Sequence, residues 1–181
     1  MRSLFILFAL SVLALPAIAE DSTFEFPKDP TSAVLGMRYK GGFTPPRTSQ
    51  APWLTVRVDG TVEMPDRFGN RKDFTAKVSQ KEVQKLLQAV IVKPKFLEIN
   101  QQDLARKYKA ALNPKPGPGG VVVRVPQIAD APVTEITVYV NGKSHAVGQY
   151  ALSMYADQMK IDEMTRLYQA EKAIKKFTTI V

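Results

Sequence analysis

The chain has a single histidine and no cysteine, which limits the catalytic and metal-binding chemistry open to it. His145 directly follows Ser144, and neighbouring side chains on a β-strand point to opposite faces of a sheet. The two side chains therefore cannot act as a nucleophile and its base. The carboxylates show no metal-ligand spacing, and the sequence has no Gly-x-Ser-x-Gly motif and no phosphate-binding glycine loop. The sequence predicts no metal and no cofactor, and His145 is interpreted as a sheet residue.

Three carboxylates, Asp157, Asp162 and Glu163, lie close enough in sequence to suggest the acid–base pair of a hydrolase. They also flank the predicted beginning of a helix, where negative side chains interact favourably with the helix dipole. Acid–base pairs can be assembled from distant positions as well. A hydrolase with carboxylate-based catalysis is therefore kept as an alternative, while the sequence favours a non-catalytic protein.

The segment Gly41–Trp53 has the residue types of a binding surface. It contains Phe43, Arg47 and Trp53, the only tryptophan of the chain, together with two prolines between the phenylalanine and the arginine. Aromatic and arginine side chains dominate protein-binding hot spots, and proline reduces the entropy that a loop loses on docking. The alternative is that Phe43 and Trp53 fix the loop to the core. We take Phe43, Arg47 and Trp53 as the candidate binding residues.

Two segments have the alternating pattern and the turn residues of a β-hairpin. Trp53–Met64 turns at Asp59-Gly60, and Thr134–Val147 turns at Asn141-Gly142. Asp-Gly and Asn-Gly favour two-residue turns, in which both central residues have positive φ. An ancient duplication would explain the likeness of the two segments. However, β-branched residues and this turn type favour the same pattern in any hairpin.

Three segments have the periodicity of amphipathic helices. Ser79 and Glu82 form a capping box at the beginning of the first, and Asn100 is expected to cap the second. The three predicted helices are Ser79–Val92, Gln101–Leu112 and about Gln158–Phe177.

An N-terminal strand is predicted at Ala33–Tyr39, and a further short strand at Phe74, Ala76 and Val78. The elements together predict an α+β fold: an antiparallel sheet of two β-hairpins plus the N-terminal strand, packed on one face by amphipathic helices. Residues 33–181 are expected to form a single domain, and residues 20–32 a flexible lead-in.

The first 19 residues have the pattern of a signal peptide. Arg2 supplies the positive start, Leu4–Leu15 is almost entirely apolar, and Ala17-Ile18-Ala19 matches a signal-peptidase site, so Glu20 is the expected mature N-terminus. The apolar run is shorter than the roughly 20 residues that a membrane-spanning helix needs. The sequence therefore predicts a periplasmic or secreted protein with no transmembrane segment after cleavage.

The net charge of +8 at pH 7 indicates which partners the chain would attract. A basic exported protein is drawn to acidic proteins and to anionic envelope polymers. The alternative is that lysines on helix exteriors serve solubility. No zinc-finger spacing or aromatic RNA-binding motif is present, and no nucleic-acid partner is expected.

The order of motifs resembles that of known exported domains. Along the chain come Met37–Phe43, an Asp-Gly hairpin, Ser79–Val92, Phe96-Leu97 and an Asn-Gly hairpin. Over most of Val34–Tyr150 this order is similar to small exported bacterial α+β domains of uncharacterised function. More distantly it resembles the emfourins, small inhibitors of thermolysin-like metallopeptidases. The resemblance implies a protease-inhibitor-like binding protein. The chain differs by its 44–52 insertion, its 100–120 segment and its C-terminal helix, so no inhibitory residue is carried over.

Overall fold

A computed structural model of the chain describes residues 23–42, 52–65, 73–114, 125–126 and 128–181. In this part of the chain six strands form one antiparallel sheet in the order β4-β3-β2-β1-β5-β6, and helices pack against it. The predicted α+β class is confirmed, and the N-terminal strand β1 lies in the middle, where it pairs with both β2 and β5. The strands are β1 (Ala33–Lys40), β2 (Leu54–Arg57), β3 (Thr61–Met64), β4 (Phe74–Lys77), β5 (Val133–Val140) and β6 (Lys143–Tyr150). The α-helices are α1 (Gln80–Leu87), α2 (Gln101–Leu112), α3 (Leu152–Tyr155) and α4 (Asp162–Thr178).

The two faces of the sheet differ in chemistry because side chains alternate along each strand. On the helix-covered face, Met37 of β1 pairs with Leu54 of β2 and Ile136 of β5, and all three are buried. The other face carries ion pairs, including Arg38 and Lys40 with Glu135. Burial raises the pKa of Glu135, but the hydrogen bonds from these two cations outweigh that effect and hold the pKa below its usual range.

The first predicted helix has the predicted start and an altered end. The Ser79 hydroxyl accepts from the Glu82 N–H and the Glu82 carboxylate accepts from the Ser79 N–H, so the capping box is confirmed. After α1 the chain continues as a π-helical turn, Gln88–Val92, which contributes two buried residues to the core. Arg166 of α4 donates to the carbonyl groups of Pro94 and Lys95 and so fixes the end of this turn.

The second predicted helix is confirmed, whereas the third begins later than predicted. The Asn100 side chain accepts from the N–H groups of Gln102 and Asp103, and α2 begins at the predicted residue. The helix predicted from about Gln158 begins only at Asp162, because Lys160 adopts a left-handed conformation at φ 51° that interrupts the helix.

The two turns also differ from each other. The predicted two-residue turn is present at Asn141-Gly142, where both residues have positive φ and Val140 pairs with Lys143. The two-residue turn predicted at Asp59-Gly60 was wrong. It is a three-residue loop, in which the Gly60 N–H donates to Arg57 and Gly60 alone has positive φ.

Residues 23–32, interpreted from the sequence as flexible, are fixed to three elements. Phe24 is buried, and its N–H and carbonyl groups bind the Gln84 side chain of α1. Glu25 exchanges hydrogen bonds with Asn141, and Ser32 accepts from the N–H of Val58. The described part of the lead-in therefore closes one end of the sheet. The signal peptide expected at 1–19 lies outside the described residues.

Candidate binding site

Trp53 is the one candidate binding residue that the structure describes; Phe43 and Arg47 lie outside the described residues. Its N–H donates to the carbonyl oxygen of Met37 at 2.7 Å, which joins the beginning of β2 to β1. Its ring lies edge-on to the Tyr39 ring, with the centroids 6.0 Å apart. The side chain is half-buried and packs against the core. Trp53 therefore joins β2 to β1 through its backbone and packs its half-buried side chain against the core.

Strand β1 is followed by two glycines whose backbone conformation is unfavourable for any larger residue. Gly41 and Gly42 have φ of 71° and 68°, in the left-handed region that favours glycine. A Cβ atom on Gly42 would lie 2.8 Å from the backbone oxygen of Asp130. The segment before the loop is thus held against residues 130–132, as Trp53 holds the segment after it.

A buried carboxylate lies beneath the aromatic pair, and the sequence reasoning missed it. Glu171 of α4 is 1% exposed. Its Oε1 accepts from the Tyr39 hydroxyl at 2.9 Å and from Lys175 Nζ at 2.7 Å, while its Oε2 is buried and accepts no hydrogen bond from the described residues. The Glu171–Lys175 spacing of four residues was visible in the sequence, but nothing there indicated that Tyr39 would join the pair.

We name Tyr39, Trp53, Glu171 and Lys175 the Trp53 platform. Lys175 Nζ lies 5.7 Å from the centre of the Tyr39 ring, and its side chain is 46% exposed. The buried carboxylate orients both Tyr39 and Lys175, since it binds each of them. The platform can therefore offer an aromatic edge and an ammonium group to a ligand in a fixed arrangement, as binding hot spots do.

His145 lies away from the platform, on the helix-covered side of β6. Its ring packs edge-on against Phe96 with the centroids 5.3 Å apart, and its buried Nε2 has no hydrogen-bond partner among the described residues. Ser144 is exposed on the opposite face, because successive strand residues alternate. The two side chains therefore lie on opposite faces of the sheet, as the strand alternation predicted.

Two of the three carboxylates considered for acid–base chemistry form ion pairs, whereas Asp157 is exposed and pairs with no cation of the described residues. Asp162 pairs with Arg166 in the first turn of α4, and Glu163 binds Lys107 of α2. The hydrogen bond from Lys107 lowers the pKa of Glu163, so this carboxyl group is ionised at neutral pH, which is the opposite of what a general acid needs. Within the described ranges no group of three or more acidic or histidine side chains is placed to hold a metal ion.

No family model matches the chain, and no curated protein matches it. Among the helices of the described residues, none has the length and apolar character required to cross a bilayer.

Proposed function

We propose that the chain is an exported binding protein that docks a partner protein on the Trp53 platform. The observation that carries the proposal is the arrangement of Tyr39, Trp53 and Lys175 around the buried carboxylate of Glu171. A buried charge costs free energy unless it is paired, and here it orients groups suited to binding. The export part of the proposal is supported by the signal-peptide pattern of residues 1–19.

The chemistry of the platform favours an acidic partner surface. The Lys175 side chain is 46% exposed and its ammonium group is paired with Glu171, while the net charge of +8 would attract an anionic partner over a longer range. Phe43 and Arg47 belong to the segment between the platform's two fixed ends, and their residue types support the same role. The emfourin resemblance makes an exported metallopeptidase the first partner to test, as a narrower form of the proposal.

The test is capture of exported proteins from the native host on the immobilised chain, with Trp53→Ala compared to a matched variant. Tyr139→Ala is the control, because Tyr139 is a 38% exposed aromatic on β5, outside the platform. We expect one partner to be retained by the wild type and by Tyr139→Ala, and lost with Trp53→Ala. Urea unfolding of each variant verifies the fold.

Capture of the same proteins by Trp53→Ala, or capture of none by the wild type, would contradict the proposal. A separate assay measures inhibition of a thermolysin-like peptidase. If the peptidase is not inhibited, the narrower proposal of a protease inhibitor is wrong. The capture experiment still decides whether a partner protein docks on the Trp53 platform.

A second candidate function, binding of anionic envelope polymers, is favoured by the surface of α1 and the π-helical turn. Lys81, Lys85 and Lys93 are exposed there and form no ion pair with described residues. Lys85 and Lys93 border a shallow depression of about 300 Å³ that also includes the exposed Val92. Replacing the three lysines with glutamine should abolish salt-sensitive binding to isolated envelopes. Unchanged binding would remove this candidate.

A further inference from the structure

Strand β6 lies at one edge of the described sheet. One of its outward-facing residues, Gly148, is already hydrogen-bonded to a side chain. The Ala151 N–H donates to the Pro132 carbonyl at 3.0 Å, in the same register that pairs β5 with β6. In an antiparallel pair, alternate residues bond to the neighbouring strand. The odd-numbered residues of β6 therefore bond to β5, and the even-numbered residues direct their N–H and carbonyl groups outward.

Gln101 shows how such outward groups are satisfied. Its Oε1 accepts from the Gly148 N–H at 2.8 Å, and its Nε2 donates to the Gly148 carbonyl at 3.1 Å. The side-chain amide thus makes the two hydrogen bonds that a residue of a neighbouring strand would make. Since α2 positions Gln101 at Gly148, the helix closes this end of the edge.

The outward groups of Ser144 and Ala146 have no such cover among the described residues. Both residues are exposed. A depression of about 440 Å³ adjoins Ala146 and is lined by His145, by the amide side chains that begin α2 and by the turn before them. Its residues are Leu97, Glu98, Ile99, Asn100, Gln101, Gln102, His145 and Ala146. Two residues of unpaired backbone therefore lie beside a polar space large enough for a side chain.

We propose that the edge at Ser144 and Ala146 binds an extended segment of a partner protein as a seventh strand, with one polar side chain entering the depression. Backbone groups spaced as in a ladder recognise the backbone of an extended peptide, and the adjoining space selects a side chain. The inference is independent of the Trp53 platform, which lies at β1 and β2 with β5 between it and β6.

Charge decides which extended segment fits. A second copy of this chain would bring another net charge of +8 and place its own exposed Lys143 along the same edge, so two copies repel each other. An acidic segment is attracted instead. Glu98, a carboxylate in the depression, is already paired with Arg166. Because Glu98 is 66% exposed and only 3.5 Å from Arg166, the side chain that enters the depression is polar and uncharged, while the acidic residues of the extended segment lie outside it.

The test begins with selection of ten-residue peptides from a random phage-displayed library on the wild-type chain. The affinity of each selected peptide is then measured for the wild type and for Ala146→Pro. Proline removes the outward N–H of Ala146 and leaves the bonds between β5 and β6 in place, and edge strands tolerate it there. We expect acidic peptides that bind Ala146→Pro roughly tenfold more weakly, since loss of one or two backbone hydrogen bonds has an effect of about that size.

Thr75→Pro is the matched variant, because it places proline on an exposed, outward-facing position of β4, the other edge strand, away from the depression. Binding to it should be as tight as to the wild type. In the wild type, bound peptide should slow amide hydrogen exchange at Ser144 and Ala146, a result that does not depend on whether the proline variant folds.

Three results would overturn the inference. They are the absence of any enriched peptide, equal binding to Ala146→Pro, and unchanged exchange at Ser144 and Ala146. A dimer of the chain that Ala146→Pro dissociates would assign the edge to a second copy and overturn it as well.

Discussion

The two hairpins have closely similar sequences and different turns. Leu54–Gly60 and Ile136–Gly142 share β-branched strand residues and end in Asp-Gly and Asn-Gly, respectively. Asn141 and Gly142 both have positive φ and form a two-residue turn, whereas the Asp59-Gly60 turn contains a third residue, Val58. The same local sequence pattern is therefore compatible with two turn types. Contacts with residues distant in sequence determine which of the two forms.

The contacts of the first turn come from the chain that precedes β1. The N–H groups of Val58 and Asp59 donate to the carbonyl oxygens of Ser32 and Pro30, both at 3.0 Å. The Asp59 carboxylate accepts from the Thr61 N–H, which favours an ordinary turn conformation at Asp59. Left-handed backbone is thus confined to Gly60, as in a three-residue hairpin loop with a glycine bulge.

The second turn is held through one residue, Asn141, by both its side chain and its backbone N–H. Asn141 accepts from the Glu25 N–H through its Oδ1 at 2.8 Å and donates its own N–H to the Glu25 carbonyl. Asparagine tolerates the left-handed conformation better than other non-glycine residues do. At the first turn the lead-in chain binds two backbone N–H groups, whereas at the second it binds one backbone N–H and the Asn141 side chain. The two hairpins should therefore respond differently to substitution of their turn residues.

The largest expected difference is between Gly60→Ala and Gly142→Ala. A Cβ atom on Gly60 would clash with the Val78 carbonyl oxygen, while one on Gly142 would have no atom of a described residue within 4 Å. Both glycines have positive φ, so Gly142→Ala should cost about 1–2 kcal/mol of unfolding free energy from conformation alone. Gly60→Ala should cost at least about 3 kcal/mol, because the clash adds to that term. Urea unfolding measures both.

Equal costs for the two alanine variants would show that backbone conformation alone governs both turns. The close approach of Gly60 to Val78 would then have no energetic consequence, and the contrast between the hairpins would fail.

A smaller difference is expected between Asn141→Ala and Asp59→Ala. Alanine at Asn141 loses the bond to Glu25 and meets the left-handed conformation, for a cost of about 1–2 kcal/mol. Asp59→Ala should cost less, because φ is not positive there and backbone hydrogen bonds hold the turn. Asn141→Gly is the matched control: it removes the side chain and keeps the conformation accessible. If Asn141→Gly costs as much as Asn141→Ala, the hydrogen bond and not the backbone determines the turn.

Sequence reasoning succeeded where a structure depends on residues a few positions apart. The capping box of Ser79 and Glu82 and the Asn100 cap are local, and both were predicted with their helices. The π-helical turn, the left-handed Lys160 and the three-residue turn depend on contacts with distant segments. The contacts of residues 23–32 were not predictable for the same reason, since they join Gln84, Val58 and other residues far along the chain.

Only the part of the candidate site that depends on residue type was predictable from the sequence. Trp53 was identifiable as the only tryptophan, in a segment of binding-type residues. Tyr39 and Glu171 are 132 positions apart and meet only through the packing of α4 on β1. No periodicity distinguishes Glu171 from an exposed glutamate. The open edge of β6 likewise depends on strand order, which the hairpin pattern leaves open.

The smallest expected difference between the hairpins is their response to acid. Hydrogen bonds from Lys77 and then from the Thr61 N–H hold the pKa of Asp59 well below its ordinary value of 3.8. Because the folded-state pKa is lowered, the stabilisation from Asp59 is complete above about pH 4 and is lost as the pH falls below it. The unfolding cost of Asp59→Asn should therefore shrink between pH 6 and pH 3. The cost of Asn141→Ala should stay constant, since an amide does not titrate.

Thermal unfolding of both variants and the wild type at pH 6 and pH 3 measures the two unfolding costs. A parallel change in the two costs would mean that acid acts on the whole sheet and not on the Asp59 turn.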